Sequence, residues 1–222
     1  MNHPRVSIVL AVHNGEEVIG QALNSLLQQS YLDLEVIVVN DASVDHTGQV
    51  LSSFQDPRVH CITNEKNLGL TASLNIALSV CEGDFIFRLD ADDIALPNRV
   101  QEQLDAMIKG NADICFSRGY ITLDSSSPSK IWCEGNWGSI LWRGLFENSY
   151  GLHSSVAFRH QAVMEVGGYN PAFYRSQDYD LWDRCAQAGL KFIYVKKPLI
   201  RYFLTDTGIS VRHRLEQEAC AR

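Results

Sequence analysis

Continuous apolar runs alternate with amphipathic helical patterns along the first half of this 222-residue chain. The runs Val6–Val12 and Leu34–Asn40 are rich in β-branched residues, which is typical of strands that are covered on both faces. Shorter strands are predicted at Arg58–Thr63 and Asp84–Leu89. Strands that alternate with helices over short links predict a parallel sheet with right-handed crossovers and helices on both faces.

The segments between these strands carry apolar residues at three- and four-residue spacing. Helices are therefore predicted over Glu16–Gln29, Thr47–Phe54 and Thr71–Cys81, and after Pro97, a residue suited to a first helical turn. The predicted class is α/β, with a Rossmann-like, mixed but mainly parallel sheet. Because such sheets bind ligands at the carboxyl ends of their strands, the chemistry is expected in the segments that follow each strand.

The second half is less regular, and we expect it to complete the sheet within one domain spanning residues 1–222, with halves at about 1–118 and 119–222. It contains, in order, a polar loop (Asp124–Lys130), a tryptophan-rich stretch (Trp132–Phe146), a strand (Ser155–Phe158), a helix from about Asp178, and strands near Phe192–Val195 and Leu199–Phe203. Trp137 and Leu141 have helical spacing, which suits either core packing or an interfacial membrane helix.

Composition excludes several classes of function. The formal net charge of −7 disfavours nucleic acid and anionic lipid as general partners. The six cysteines include no C-x-x-C pair, which indicates reduced thiols in the cytoplasm rather than a disulfide framework or a zinc site. The chain shows neither a leader peptide nor an apolar run of spanning length, so we expect a protein that is at most peripheral to a membrane, at its inner face.

Three acidic clusters follow predicted strands or open a predicted helix. In the first, Asp41 and Asp45 either form turns and helix caps or accept a hydrogen bond from a bound base. In the second, Asp90, Asp92 and Asp93 lie within four residues of one another, so their mutual repulsion favours a bound Mg²⁺ or Mn²⁺. The alternative is that Asp93 caps the next helix while the other two face solvent.

The third cluster, Asp178 and Asp180, is resolved by helical geometry. Asp178 shares a face with Leu181 and Trp182 and is predicted to point inward, either as a cap or as a general base. Asp180 lies one turn before Arg184 and is predicted to form a solvated ion pair.

Together these segments resemble the inverting family 2 glycosyltransferases of the GT-A fold. The resemblance rests on five segments that occur in order over nearly the whole chain: Val6–Asn14, Asn40–Thr47, Asn67–Asn75, Leu89–Asp93 and Gly167–Trp182. It implies a metal-assisted transfer of a sugar from a nucleotide-diphosphate donor to an acceptor hydroxyl, with inversion.

The resemblance also implies roles for individual residues. Asp178 would be the catalytic base, and Asp92 would hold the metal on the diphosphate. The residues implied on the nucleotide-sugar side are His13, Asn14, Glu16, Asp41, Asp45, Gly69, Asn75, Asp90 and Asp92. Those implied on the acceptor side are His153, Gln177 and Trp182, although a lone histidine at a strand edge and a tryptophan on an apolar helix face are also typical of packing.

Two features depart from the family pattern. Gln177 stands where a glutamate usually precedes the base, and the last strand lacks the histidine that often completes the metal site, a role that Asp206 or His213 could take. The alternative functions are a non-catalytic sugar-nucleotide-binding relative and a sugar nucleotidyltransferase. By resemblance, the first candidate donor is a UDP-sugar, and the acceptor is a glycan or a lipid-linked glycan in polysaccharide or cell-surface synthesis.

Overall fold

A computed structural model describes residues 5–122, 130–132, 151–173 and 176–203. Its strands are β1 Val6–Val12, β2 Leu34–Asn40, β3 Val59–Thr63, β4 Phe85–Arg88, β5 Ile94–Ala95, β6 Ile114–Thr122, β7 Lys130–Trp132, β8 Ala157–Arg159 and β9 Phe192–Phe203. Its helices are α1 Ile19–Leu27, α2 Thr47–Ser52, α3 Leu70–Val80, α4 Arg99–Gly110, α5 His160–Glu165 and α6 Gln177–Gln187, with a 3-10 turn at His153–Ser155.

The described strands form one mixed sheet in the order β3-β2-β1-β4-β8-β6-β9-β5, with β7 paired to β6. The four strands β3, β2, β1 and β4 run parallel, as the sequence predicts, and β6 runs parallel to β9. Strand β8 enters antiparallel between β4 and β6. The carboxyl ends of β1 to β4 therefore lie side by side along one edge of the sheet.

Helices cover both faces, because successive strand residues point to opposite sides. In β1, Ile8 and Leu10 pack with α1, α2 and α4, whereas Val9 packs with α3, α5 and α6. All three side chains are fully buried. The GT-A-like α/β class expected from the sequence is confirmed.

Several elements differ from the sequence predictions. The predicted strands near Phe192–Val195 and Leu199–Phe203 are one strand, β9, whose pairing with β6 shifts register around Arg118. Strand β6, at the centre of the sheet, was not predicted, nor were β5 and α5. The tryptophan-rich stretch, including Trp137 and Leu141, lies outside the described residues except at Trp132. No helix in the described segments is long and apolar enough to cross a bilayer.

Candidate functional site

Two loops at the carboxyl edge of the sheet are fastened to each other by hydrogen bonds. The first follows β1 (residues 13–18) and the second follows β2 (residues 41–46). The Asn14 backbone N–H donates to Ser43 Oγ at 2.9 Å, and Asn14 Oδ1 accepts from the Val44 N–H at 2.9 Å. Asn14 has φ 55°, a left-handed conformation that asparagine tolerates better than most residues. The two loops therefore form one connected surface.

Glu16 and Asp45 strengthen this connection. Glu16 Oε2 accepts from the His46 backbone N–H at 2.6 Å and contacts His46 Nδ1 at 2.8 Å. Asp45 accepts from the Glu16 N–H at 3.1 Å and from the Thr47 N–H at 3.0 Å, where α2 begins. Burial raises the pKa of Asp45, but these hydrogen bonds outweigh it and the net pKa is lowered. Asp45 therefore closes a turn just before α2, and the N-cap position predicted for it is occupied by His46.

Asp41 holds a third loop, the segment 64–69 that follows β3. The side chain is only 3% exposed. Its Oδ1 accepts from Asn64 Nδ2 at 2.7 Å and from the Leu68 N–H at 2.8 Å, and its Oδ2 accepts from the Gly69 N–H at 2.8 Å. Gly69 has φ 84°, which a side chain would disfavour. Asp41 therefore fixes the conformation of this loop, and its contact with a base stays a prediction.

His13 and Asn75 are also engaged with backbone groups. His13 Nδ1 lies 2.7 Å from the Asp41 carbonyl oxygen, so it acts as the donor there. Asn75 donates from Nδ2 to the Tyr169 carbonyl oxygen at 2.7 Å and accepts the Tyr169 N–H at 3.0 Å. The amide of Asn75 thus links α3 to the segment before α6, a structural task that the sequence did not reveal; its donor contact stays a prediction.

The acidic loop after β4 (residues 90–93) is balanced by a buried arginine. Arg88, 2% exposed, forms a bidentate ion pair with Asp90. The Asp90 N–H donates to Ser154 Oγ at 3.0 Å, which ties the loop to the 3-10 turn. Burial and the neighbouring charge of Asp90 raise the pKa of Asp92 to about 6. The ionised form of Asp92 is therefore disfavoured unless a positive charge is added nearby.

Asp93 lies under the loop rather than in solvent. It is fully buried, and its Oδ1 accepts the Phe203 N–H at 3.0 Å. Its Oδ2 has no hydrogen-bond partner within the described segments. Burial, followed by the charge of Asp90, raises the pKa of Asp93 well above its usual value. Asp93 joins the acidic loop to the end of β9 and does not cap α4, whose first turn carries no side-chain cap.

A second buried arginine lies beneath this loop. Arg99 Nη2 donates to the Arg88 carbonyl oxygen at 2.7 Å, and its Nε donates to Gln103 Oε1 at 3.0 Å. Burial lowers the pKa of Arg99 to about 9, and the charge of Asp93 opposes that shift. Two guanidinium groups therefore face the three carboxylates of the loop.

These residues fit a divalent cation at Asp92. If Asp178 and the loop acids are all ionised, four carboxylates face two guanidinium groups and two negative charges remain, which a divalent ion with hard oxygen ligands would neutralise. Across residues 5–122, 130–132, 151–173 and 176–203, no three His, Cys, Asp or Glu side chains form a ready-made ligand cluster. Asp92 would therefore be one ligand among others from diphosphate and water. The residues suggested as late ligands, Asp206 and His213, lie outside the described residues.

Asp178 occupies the first turn of α6, and its pKa shift connects it to the acidic loop. Burial raises the pKa of Asp178, the Arg88 charge lowers it and the Asp90 charge raises it. Leu181 and Trp182, one turn later, are fully buried. Asp178 itself is half-buried, and its role as a cap or as a general base stays a prediction.

Asp180 has a larger role than the solvated pair that the sequence suggested. It accepts from Arg184 Nη2 at 2.6 Å, and the same guanidinium donates to the carbonyl oxygens of Val166 at 2.6 Å and Gly168 at 2.7 Å. Only 11% of the Asp180 side chain is exposed. The predicted solvated pair is therefore largely shielded from solvent, and it holds the glycine turn that precedes α6.

The three residues predicted on the acceptor side have different surroundings. His153 Nε2 lies 2.8 Å from the Tyr169 hydroxyl, and burial, with the Arg88 charge second, lowers the pKa of His153 well below its usual value. Trp182 is 1% exposed and meets Phe116 edge to face, with centroids 5.5 Å apart. Trp182 therefore packs in the core, and the expectation of an acceptor contact does not fit its burial. Gln177, 7% exposed, opens α6.

Arg88, which pairs with Asp90 beneath the acidic loop, was not predicted from the sequence. Its signal was present: an arginine inside the apolar run that precedes Asp90 cannot be buried without a carboxylate partner. Ser154 and Asn64 were also missed, and since a single serine or asparagine in a loop is common, no sequence signal distinguished them.

Comparisons with known proteins agree with this geometry. A family model described as "Glycosyl transferase family 2" matches residues 7–169. An uncharacterized glycosyltransferase of Methanocaldococcus jannaschii is 30% identical over 208 residues, covering 91% of this chain and 71% of its own. An Escherichia coli enzyme named as a UDP-Glc:alpha-D-GlcNAc-diphosphoundecaprenol beta-1,3-glucosyltransferase is 34% identical over 177 residues, covering 80% of this chain and 68% of its own.

Solved structures give the same fold. S. aureus TarS in complex with UDP-GlcNAc superposes with a TM-score of 0.78 at 18% identity, over 92% of this chain and 60% of that one. A mannosyltransferase from Pyrobaculum calidifontis with GDP-Man and Mn²⁺ gives a TM-score of 0.76 at 16% identity, over 99% of this chain and 63% of that one. The chain thus spans less than two thirds of the length of these neighbours.

Proposed function

The chain belongs to glycosyl transferase family 2, and from that membership we propose an inverting, metal-assisted transfer of a sugar from a nucleotide-diphosphate donor to an acceptor hydroxyl. The observation that carries the proposal is the shared environment of Asp90 and Asp178, which belong to opposite halves of the chain. Both interact with the buried charge of Arg88. A donor carboxylate and a candidate base that both respond to one buried arginine fit a site where a single displacement brings donor and acceptor together.

The nucleotide would bind across the loops after β1, β2 and β3. His13, Asn14, Glu16, Asp41, Asp45 and Gly69 line or shape these loops, with Asn75 behind them. Their hydrogen bonds are satisfied within the protein, so the loops are organised before the donor arrives, which lowers the entropy cost of binding. We assign Asp41 to the base and Asp90 to the ribose or the donor sugar.

Asp92 would hold Mg²⁺ or Mn²⁺ against the diphosphate. When bound, the ion would neutralise the charge that develops on the departing nucleoside diphosphate. Asp92 suits this task because its pKa, raised by burial and Asp90, reports a site where an ionised carboxylate lacks a positive partner.

Asp178 would act as the general base. Its carboxylate takes the proton of the acceptor hydroxyl while the acceptor oxygen bonds to the anomeric carbon. The bond from that carbon to the diphosphate oxygen breaks on the opposite face, so the anomeric configuration inverts. Burial raises the pKa of Asp178 and makes it a stronger base than an exposed aspartate.

The half at about 119–222, with His153 and Gln177, would form the acceptor side. The relative that acts from UDP-Glc on a diphosphoundecaprenol-linked sugar supports a UDP-sugar donor and a glycan or lipid-linked acceptor. On that basis we place the reaction in polysaccharide or cell-surface glycan synthesis, in the cytoplasm or at the inner face of the membrane. The family match favours transfer over the nucleotidyltransferase alternative.

The test is release of nucleoside diphosphate from UDP-glucose, UDP-GlcNAc and GDP-mannose, with and without Mn²⁺. We expect metal-dependent release from at least one donor, and an increase when a lipid-linked sugar acceptor is added. Nucleotide binding without release from any donor, with acceptor present, would instead support the non-catalytic relative.

A further inference from the structure

Arg88 is a cation sealed inside the protein at the end of β4. Its side chain is 2% exposed, and both of its terminal nitrogens engage the carboxylate of Asp90. A two-pronged pair of this kind fixes the plane of the carboxylate as well as its position. In the proposed function, Asp90 is the residue that contacts the donor. Arg88 therefore sets the orientation of the carboxylate that would meet the donor.

The backbone that carries Arg88 is itself held on both sides. The Arg88 N–H donates to the Val156 carbonyl oxygen at 3.0 Å. The Arg88 carbonyl oxygen accepts from Arg99 Nη2 at 2.7 Å. Because the backbone is anchored and the side chain is buried, the fork has little freedom to follow a carboxylate that moves.

Arg88 also faces the residues of the second half that surround the candidate base. Its charge lowers the pKa of His153 and opposes the upward shifts that burial gives Asp178 and Tyr169. Its Nε has no hydrogen-bond partner among residues 5–122, 130–132, 151–173 and 176–203. One buried cation is therefore paired with the donor carboxylate, and its charge also reaches the group that would receive the acceptor proton.

We infer that Arg88 is a positioning residue for sugar transfer, which holds Asp90 in the orientation that the donor requires. This inference rests on the proposed function. Without the fork, Asp90 could rotate, and a misplacement of about 1 Å can reduce turnover about 100-fold. We take Asp90 here as the contact to the donor sugar, which UDP lacks. Affinity for UDP would then change much less, because the base and diphosphate are held by other residues.

Lysine is the informative replacement, because it keeps the positive charge but lacks the planar fork. Arg88→Lys should therefore retain the buried charge balance and fold, whereas Arg88→Met leaves Asp90 and Asp93 without it. The matched control is Arg159→Lys. Arg159 belongs to β8 and pairs in register with Phe85, at the end of β4 opposite to Arg88. Its Nε donates to the Ala112 carbonyl oxygen at 3.1 Å.

The experiment measures the thermal midpoint, the Kd for UDP with Mn²⁺, and kcat with the donor that wild type uses. We expect Arg88→Met to lower the midpoint and Arg88→Lys to restore it to within a few degrees of wild type. Arg88→Lys should bind UDP within about threefold of wild type but lose about 100-fold in kcat. Arg159→Lys should match wild type in all three measurements.

Either of two results would overturn the inference. Wild-type kcat in Arg88→Lys would show that Arg88 acts only as a charge that stabilises the fold. Wild-type kcat in Arg88→Met would show that turnover does not depend on Arg88. Failure of the proposed function is distinguishable, since wild type itself would then release no nucleoside diphosphate. In that case the positioning role is overturned with it, whatever the variants bind.

Discussion

The side-chain amide of Asn75 makes two hydrogen bonds with the backbone of Tyr169: Nδ2 donates to the carbonyl oxygen at 2.7 Å, and Oδ1 accepts from the N–H at 3.0 Å. The two residues lie 94 positions apart in the chain. This contact connects α3, under the nucleotide loops, to the segment that leads into Asp178.

The first prediction concerns this contact. Asn75→Ala removes a donor and an acceptor and leaves the Tyr169 N–H and carbonyl groups, which are part-buried, without partners. Unfilled buried polar groups cost about 1–3 kcal/mol each, so we expect a loss of about 2–4 kcal/mol in the free energy of unfolding. Urea denaturation measures it. Asn24→Ala, at an exposed position of α1, should change the same quantity by less than about 0.5 kcal/mol.

The second prediction concerns Asp178. Burial raises its pKa, so the folded state holds its ionised form at a cost that is present above the folded-state pKa and disappears as pH falls below the unfolded value. Asp178→Asn should therefore leave stability at pH 7 unchanged or higher. It should nevertheless reduce kcat by about 10²- to 10⁴-fold. The control Asp183→Asn, on the same helix, should keep wild-type kcat; turnover unaffected in Asp178→Asn would refute the base assignment.

The third prediction concerns the pH dependence of the metal-free protein. The folded pKa of Asp92, about 6, lies above the ordinary aspartate value of 3.8. Ionised Asp92 therefore destabilises the fold fully above pH 6 and not at all below about pH 4. In EDTA, Asp92→Asn should raise the free energy of unfolding by about 1–3 kcal/mol at pH 7.5. That gain should shrink as pH falls from 6 to 4. A gain of equal size at pH 4 and 7.5 would contradict the mutual repulsion of the loop acids.

The fourth prediction concerns the clasp formed by Asp41. Asp41→Asn replaces an acceptor oxygen with an NH₂ group that faces the N–H donors of Leu68, Gly69 and Asn64. The loop 64–69 should open more often, and we expect amide hydrogen exchange at Leu68 and Gly69 to accelerate by about tenfold or more, which corresponds to about 1.4 kcal/mol. Exchange of these amides should stay at the wild-type rate in Asp56→Asn, which alters the surface pair with Arg58. Unchanged exchange in Asp41→Asn would show that the loop is held by other contacts.

The early part of the fold was predictable because its signals are local. Val6–Val12 and Leu34–Asn40 were predicted with their observed bounds, since buried parallel strands are continuous apolar runs. Strand β6 was not predicted, because Ser117, Arg118 and Gly119 interrupt the apolar pattern of Ile114–Thr122. Its place in the sheet is set by pairing with β8 and β9. Those partners are distant in sequence, so no local pattern indicates the pairing.

In the candidate site, too, local features were predictable and contacts between distant segments were not. The acids after β2 and β4 were found because the strand-end rule says where to look. Their supporting partners come from distant segments: Ser154 reaches Asp90 across 64 positions, and Phe203 reaches Asp93 across 110. Such contacts depend on the finished topology. Arg88 is the exception, because a charged residue in a buried strand is itself a signal.

The most direct measurement of the central claim is calorimetric titration of the protein with UDP, in the presence of Mn²⁺ and again in EDTA, for wild type and Asp92→Asn. The account predicts that wild type binds UDP with Mn²⁺, and that affinity falls at least about tenfold, or about 1.4 kcal/mol, in EDTA and in Asp92→Asn alike. If wild type binds UDP equally well with and without the ion, and Asp92→Asn matches it, the acidic loop does not hold a cation on the diphosphate and the account is contradicted.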